Sequence, residues 1–240
     1  MVLMKNILKK AVVAGISLLS LSTAIANETT GNRYGNPVLY HSDISSARAW
    51  LDSKAKKAVI IDVRRIEEYV AGHPYGAYSI PFPHITGTPT EPNDITDYIG
   101  YDITVDSDVG FLAQDGNDGA LPLEDFVKFV ESKFPDKDQP IYLVCATGHR
   151  SVQAANALAK YGHYTQVRNV WEGYNGQLKY AYTGTVPTTP LIALDLNNDG
   201  VVDNNDRDGW AYFQGLPIET KLKNDRLFTP YLSFYRTKNQ

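Results

Sequence analysis

Cys145 is the only cysteine in the 240-residue chain, and its neighbours are of types that can turn a thiol into a reagent. Ile141, Tyr142, Leu143 and Val144 lead into it, and Ala146, Thr147, Gly148, His149, Arg150 and Ser151 follow. A strand that ends in cysteine and passes directly into a helix beginning near Arg150 holds the sulfur above a helix N-terminus. Loop N–H groups converge there and the helix dipole favours negative charge. Gly148 lets the turn close without a Cβ clash. Such a place favours a thiolate nucleophile, and equally a persulfide anion. A lone cysteine is either buried and inert or kept for its reactivity; this turn favours reactivity. His149 invites a reading as base or metal ligand, but with no second cysteine and no clustered histidine it reads as a variable loop residue.

A second constellation lies near the C-terminus. In "DLNNDGVVDNND", Asp195, Asn197, Asp199, Gly200, Asp203 and Asp206 occupy positions 1, 3, 5, 6, 9 and 12. That is the oxygen-ligand spacing of an EF-hand-type calcium loop, with glycine at the sharp turn and the Val201 carbonyl at position 7. The expectation is one structural Ca²⁺, held by Asp195, Asn197, Asp199, Val201, Asp203 and Asp206, with the following "RDGWAYF" as a helix that docks Trp210 and Phe213. Aspartate at the last position resembles the loop of dockerin modules, which carry two such segments where this chain has one. No organic cofactor is expected.

The elements that must position these groups alternate. "DISSARAWLDSK" (43–54) reads as a helix capped by Asp43, with Ile44, Ala47, Trp50 and Leu51 on one face. "AVIIDVR" (58–64) is an apolar run ending in an acid, the pattern of a strand buried on both faces. "RIEEYVAGH" is a short helix stopped near Gly72 and Pro74, and "GAYSIPF" a short strand ended by Pro81. "LPLEDFVKFVESKFP" is an amphipathic helix with Phe126, Val127, Phe129 and Val130 inward. "QPIYLVC", "RSVQAANALAKYG" and "YTQVRNV" read as strand, helix and strand, and "EGYNGQLKYAY" as a helix. This alternation makes an α/β class with a mainly parallel sheet, whose ligands bind at the carboxyl ends of strands, where Cys145 sits.

Two stretches fall outside that unit. Residues 84–120 contain eight acids and no Lys or Arg, an acidic insertion too long for an ordinary connection. "PTTP" (187–190) reads as a linker to the C-terminal extension. At the other end, Lys5, Lys9 and Lys10 precede an apolar run from Ala11 to Ile25 that closes on Ala24-Ile25-Ala26. This is the pattern of a signal peptide over residues 1–26, too short for a span, so a periplasmic or secreted protein is expected. Removing those three lysines from 23 basic residues leaves 20 against 27 acids, a net charge of −7. That disfavours nucleic acid and anionic membrane as partners, and no membrane span is expected after processing.

Three motifs carry a resemblance. "DVRRIEEYVAGHPYGAYSIP" resembles the pattern D-V-R-x-x-x-E-Y-x-x-G-H-I-P-G-A-x-x-I-P, "CATGHRS" resembles C-x-[ST]-G-x-R-S, and "NVWEGYNGQ" resembles a closing Gly-rich turn. In this order they are similar to a single-domain rhodanese, a sulfurtransferase. The resemblance implies a rhodanese-like, mainly parallel sheet flanked by helices over residues 27–186, interrupted by the insertion at 84–120. Residues 187–240 then form a linker and a small extension with the calcium loop at 195–206. It implies that Cys145 takes up sulfane sulfur as a persulfide and passes it to a thiol or cyanide-like nucleophile. Ala146, Thr147, Gly148 and His149 line the substrate, Asp62 braces the loop, and Arg150 braces it through Asp62 or Glu68. Phosphatase relatives have five residues between Cys and Arg; this chain has four, a smaller ring that suits sulfur. Thiosulfate-specialised members carry cations at the places of Glu68 and Thr147, so thiosulfate is not the expected donor. The alternative is a rhodanese fold used to dock a protein partner without turnover; Cys145 with its intact Gly-x-Arg loop favours chemistry.

Overall fold

A computed structural model of the chain describes residues 38–86, 101–102, 112–113, 121–182 and 191–237. The expected signal peptide, most of the acidic insertion and the expected linker lie outside the described residues. At the centre is a five-stranded sheet, parallel throughout, whose strands lie side by side in the order Ser42–Ile44, Val167–Val170, Ile141–Val144, Val59–Asp62 and Tyr78–Ser79. Its strands are β1 (Ser42–Ile44), β2 (Val59–Asp62), β4 (Tyr78–Ser79), β7 (Ile141–Val144) and β8 (Val167–Val170). Every residue of β7 is buried, which is why that strand reads as an unbroken apolar run rather than an alternating one. The helices α1 (Ser46–Lys54), α2 (Ile66–Ala71), α3 (Leu123–Lys133) and α4 (His149–Lys160) flank the sheet. α4 lies deepest, with Ala154, Ala155 and Ala157 fully buried, small side chains that let it approach the strands closely.

Two expected helices are corrected. The stretch 43–54 divides: Ser42–Ile44 joins the sheet as β1, and α1 starts only after Ser45, whose hydroxyl accepts from Arg48 N–H. Ser45 is the better-placed cap, and Asp43 is left beside β8 for other partners. The buried face of α1 is Ser46, Ala49 and Asp52, with Trp50 partly buried, while Leu51 stays 58% exposed. "EGYNGQLKYAY" is not a helix. Gly173 and Gly176 adopt φ of +75° and +70°, left-handed conformations that turn the chain sharply. Only Tyr180–Tyr182 is regular, as β9, pairing antiparallel with β10 (Leu191–Ala193).

The C-terminal segment packs onto this body. Its short strand β11 (Ile218–Glu219) pairs antiparallel with β3 (His73–Pro74). The last helix, α5 (Leu232–Thr237), places Tyr235, fully buried, edge-on to Tyr69 with its hydroxyl donating to Ser79 Oγ at 2.7 Å. Trp210, also fully buried, meets Trp50 edge-to-face and donates from its indole to the Pro217 carbonyl. Trp210, Leu227, Phe228 and Tyr235 belong to the same core cluster as the sheet residues. Tyr101–Asp102 (β5) and Leu112–Ala113 (β6) pair antiparallel within the acidic insertion. No helix among the described residues is long and apolar enough to cross a membrane.

Candidate active site

Cys145 follows β7 directly and is 1% exposed. Gly148, with φ of +95°, is the N-cap of α4 and donates its N–H to Cys145 Sγ at 3.1 Å. A left-handed residue is required to swing that amide back toward the sulfur, and glycine supplies it at least cost. The sulfur therefore sits at the head of a twelve-residue helix with a backbone donor on it, an arrangement that favours negative charge on sulfur. Ser151 Oγ lies 3.4 Å from the sulfur and donates to Asn169 Oδ1 at 2.7 Å.

The loop is gripped from behind by the Gly-rich turn after β8. Tyr174 N–H donates to the Cys145 carbonyl at 2.7 Å, and Asn175 and Gly176 donate to the Ala146 carbonyl at 2.8 and 3.1 Å. Gly173 is pressed so close that a Cβ there would stand 2.6 Å from Ala146 O and from Thr147 N. Trp210 N–H in turn donates to the Gly173 carbonyl. The tail thus supports the turn that supports the loop.

Charged groups around the loop are paired. Arg150, 8% exposed, binds both oxygens of Glu68 at 2.7 and 2.9 Å. Burial pushes the Glu68 carboxyl up. The Arg150 charge and its hydrogen bonds, with Arg64 and the Arg65 N–H, outweigh that and hold it down at about 2. Asp62 is fully buried and pairs with Arg64, not Arg150, through contacts of 2.7 to 3.1 Å. Arg64 also donates to the Gly72 carbonyl and lies 3.7 Å from the centre of the Tyr174 ring. His149 stands at the surface, where desolvation by the surrounding protein and the Arg150 charge lower its pKa and disfavour the protonated form.

Of the residues singled out from sequence, Cys145, Gly148 and Arg150 come together on one loop. Ala146 and Thr147 are half-buried on its outer arc. Asp62 lies one strand away, in register with Val144, and is linked to the loop through Arg64 and Tyr174. Arg64 lies in the "DVRRIEEY" motif and Asn169 and Tyr174 in "NVWEGYNGQ", but the motifs alone assign none of them an individual role. An arginine straight after an apolar strand, in "IIDVRR", is the available signal for Arg64; for Asn169 the motif marks the position, but its partner Asp43 cannot be read before β1 and β8 are known to be neighbours.

The expected calcium loop, and with it a calcium-loop extension in the fold class, is overturned. Among the described residues no group of three or more His, Cys, Asp or Glu is placed to hold a metal ion. The oxygens assigned to the ion are engaged by their own turn. Asp195 accepts from Asp199 and Gly200 N–H, Asn197 from Asp199, Asp199 from Val201, and Asp203 from Asn205. Asp206 is fully buried and accepts from Leu196, Asn197 and Asp203 N–H, which hold its carboxyl below the usual range. Aspartate and asparagine alternating before a glycine serve hydrogen-bonded turns as well as they serve an ion. The following "RDGWAYF" is turns rather than helix, and Phe213 is 48% exposed while Trp210 is buried.

A family model described as the rhodanese-like domain matches residues 45–179. Among solved structures, the chain is similar to the rhodanese-like domain from Anabaena sp, at 19% identity and TM-score 0.34, covering 55% of this chain and 68% of that one. It is also similar to thiosulfate sulfurtransferase from Pseudomonas aeruginosa, at 16% identity and TM-score 0.42, covering 83% of this chain and 23% of that one. No curated protein matches the chain.

Proposed function

The chain belongs to the rhodanese-like domain family, and from that premise we propose that Cys145 carries sulfane sulfur between a small donor and an external nucleophile. The observation that carries this reading is the Gly148 N–H on Cys145 Sγ at the head of α4. Thiolate attack on the outer sulfur of a donor forms the new S–S bond and expels the rest of the donor with the old bonding pair. An acceptor thiolate or cyanide then takes the outer sulfur, and Cys145 leaves as thiolate. Gly148 stabilises the sulfur in both ionised states. Arg150 fixes the start of α4 through Glu68, and Asp62 fixes Arg64 beneath Tyr174.

A dianionic donor is disfavoured. Arg150, the cation on the loop, is neutralised by both oxygens of Glu68, and Thr147 brings no charge. Intact mass after incubation with polysulfide should show one added sulfur on the native chain and none on Cys145→Ser. Thiosulfate should load more slowly at equal concentration. Loading of Cys145→Ser at the native rate overturns the assignment. The reading includes export after removal of residues 1–26; a mature chain that keeps Met1 would contradict it.

A further inference from the structure

A cavity of about 490 Å³ lies at the end of the sheet away from Cys145. Ala58, Val59 and Ile60 at the start of β2 line it, whereas Cys145 follows the last residue of β7, which runs parallel to β2 with Val59 beside Ile141. Its cations are Lys54, Lys56 and Lys57 from the end of α1 and Arg226 from the C-terminal segment. Its rings are Trp50, Tyr75 and Tyr78, the first two edge-on with centres 6.1 Å apart. Among the described residues no Asp or Glu lines it, although the chain carries a net charge of −4. Lysine in the last turn of a helix ordinarily answers the helix dipole, but two details point further. Lys56 adopts a left-handed backbone, with φ of +56°. Glycine is the usual residue there at a helix end, and Asn and His tolerate the region, as Asn198 and His163 do in this chain. Lysine has no such conformational advantage. Arg226, in turn, meets Glu219 only through Nη1 at 3.4 Å, and its buried Nε has no hydrogen-bond partner among the described residues. Glu219 is engaged more closely by Gly76 N–H at 2.8 Å and Lys223 at 3.0 Å.

We propose that this cavity is a binding site for a small anion that carries a planar ring. The anionic group is met by Lys54, Lys56, Lys57 and Arg226, and the ring packs on Trp50, Tyr75 and Tyr78. The volume falls within the range of small-molecule sites, about 300–1,000 Å³. The site is assembled from distant parts of the chain: the end of α1, the turn between β3 and β4, and the C-terminal segment. That segment contributes Arg226, whose guanidinium stands 5.8 Å from the centre of the Tyr78 ring. No residue that lines the cavity belongs to the Cys145 loop, so the proposal stands apart from the sulfur-carrier reading.

The full chain is titrated calorimetrically with naphthalene-1-sulfonate and with adenosine monophosphate, and with inorganic sulfate and phosphate as ring-free controls. The ring-bearing anions should bind about tenfold more tightly than the controls, the factor of one good aromatic contact. The tighter of the two tells whether the site takes an anion joined directly to its ring or one a sugar's length away. Lys54→Gln and Lys57→Gln should each weaken binding about threefold, as for one exposed charge pair. Lys56→Gly should weaken it similarly and raise the melting temperature, because glycine suits the left-handed backbone. A lysine with a merely structural role would not couple those two changes. Tyr75→Ser, at a half-exposed position, should weaken the ring-bearing anions and leave the controls alone. Cys145→Ser should bind as the native chain does. No binding of either ring-bearing anion at millimolar concentration overturns the proposal. So does equal affinity in the native chain and in the triple variant Lys54→Gln, Lys56→Gln, Lys57→Gln, and so do ring-free controls that bind as tightly as the ring-bearing anions.

Discussion

At Glu68 two opposed effects meet, and the outcome decides how the loop responds to acid. Burial alone would raise the pKa of this carboxyl, yet the Arg150 charge, its two hydrogen bonds and the Arg64 charge hold it at about 2 against an ordinary 4.5. The folded group binds its proton less tightly than the unfolded one. Its stabilisation is therefore full above about 4.5 and disappears as pH falls to about 2. Glu68→Gln should flatten the acid limb of a stability–pH curve over that window; a limb as steep as the native one would show that other carboxylates govern it. The placement of Cys145, Gly148 and Arg150 together was legible in sequence because it depends on spacing along one turn. The partner of Arg150 was not, since Asp62 and Glu68 both lie in reach until Arg64 is seen to occupy Asp62. The contact of Asn169 with Asp43 was invisible for the same reason, its partner lying 126 residues away.

The strands and helices around the loop were legible wherever an unbroken apolar run, as in β7, or an apolar face at helical spacing, as in α3 and α4, had no competitor. Reading failed where glycine overrode it. "EGYNGQLKYAY" has helix-compatible residues between glycines, but the chain uses Gly173 and Gly176 to turn and bring three amides onto Cys145 and Ala146 carbonyls. Gly173→Ala should therefore act twice, through its φ of +75° and through a Cβ 2.6 Å from Ala146 O and Thr147 N. A loss of about 1–3 kcal/mol of stability is expected, together with slower sulfur loading of Cys145. Gly200 provides the contrast, with φ of +89° and nothing within 4 Å of an added Cβ. Gly200→Ala should cost about 1 kcal/mol and leave loading alone. Equal loading by the two variants would mean the Gly-rich turn does not support the loop.

For the molecule as a whole, the described C-terminal segment is part of the core rather than an appendage. Trp210 is fully buried against Trp50 and binds the Gly173 carbonyl, and Gly209 meets Gly176 backbone to backbone, with an added Cβ at 2.2 Å from Gly176 N. Trp210→Ala should destabilise the whole chain by about 3–5 kcal/mol, read as one cooperative transition in denaturant. Two separated transitions, with the first alone shifted, would show that the segment melts on its own. The acid-rich loop within it misled the sequence reading because a ring of oxygens around an ion and a set of side chains closing their own turns share one spacing.

The placement of β1 has a kinetic consequence. β1 joins the sheet only by pairing Ser42–Ile44 with β8, and Asn169 reaches Asp43 across 126 residues. Tyr235 closes on Ser79 over 156. Such contacts reward the chain only after long loops have closed, so assembly of this domain should be slow beside that of helical bundles of similar stability. Until β1 arrives, Asn169 has no carboxylate to orient it. The line of hydrogen bonds from Ser151 through Asn169 to Asp43 should therefore be completed only when β1 has docked. Pulsed alkylation during refolding should find the thiol most reactive in the unfolded chain and progressively protected as it is buried, with full protection arriving last, when the edge strand docks.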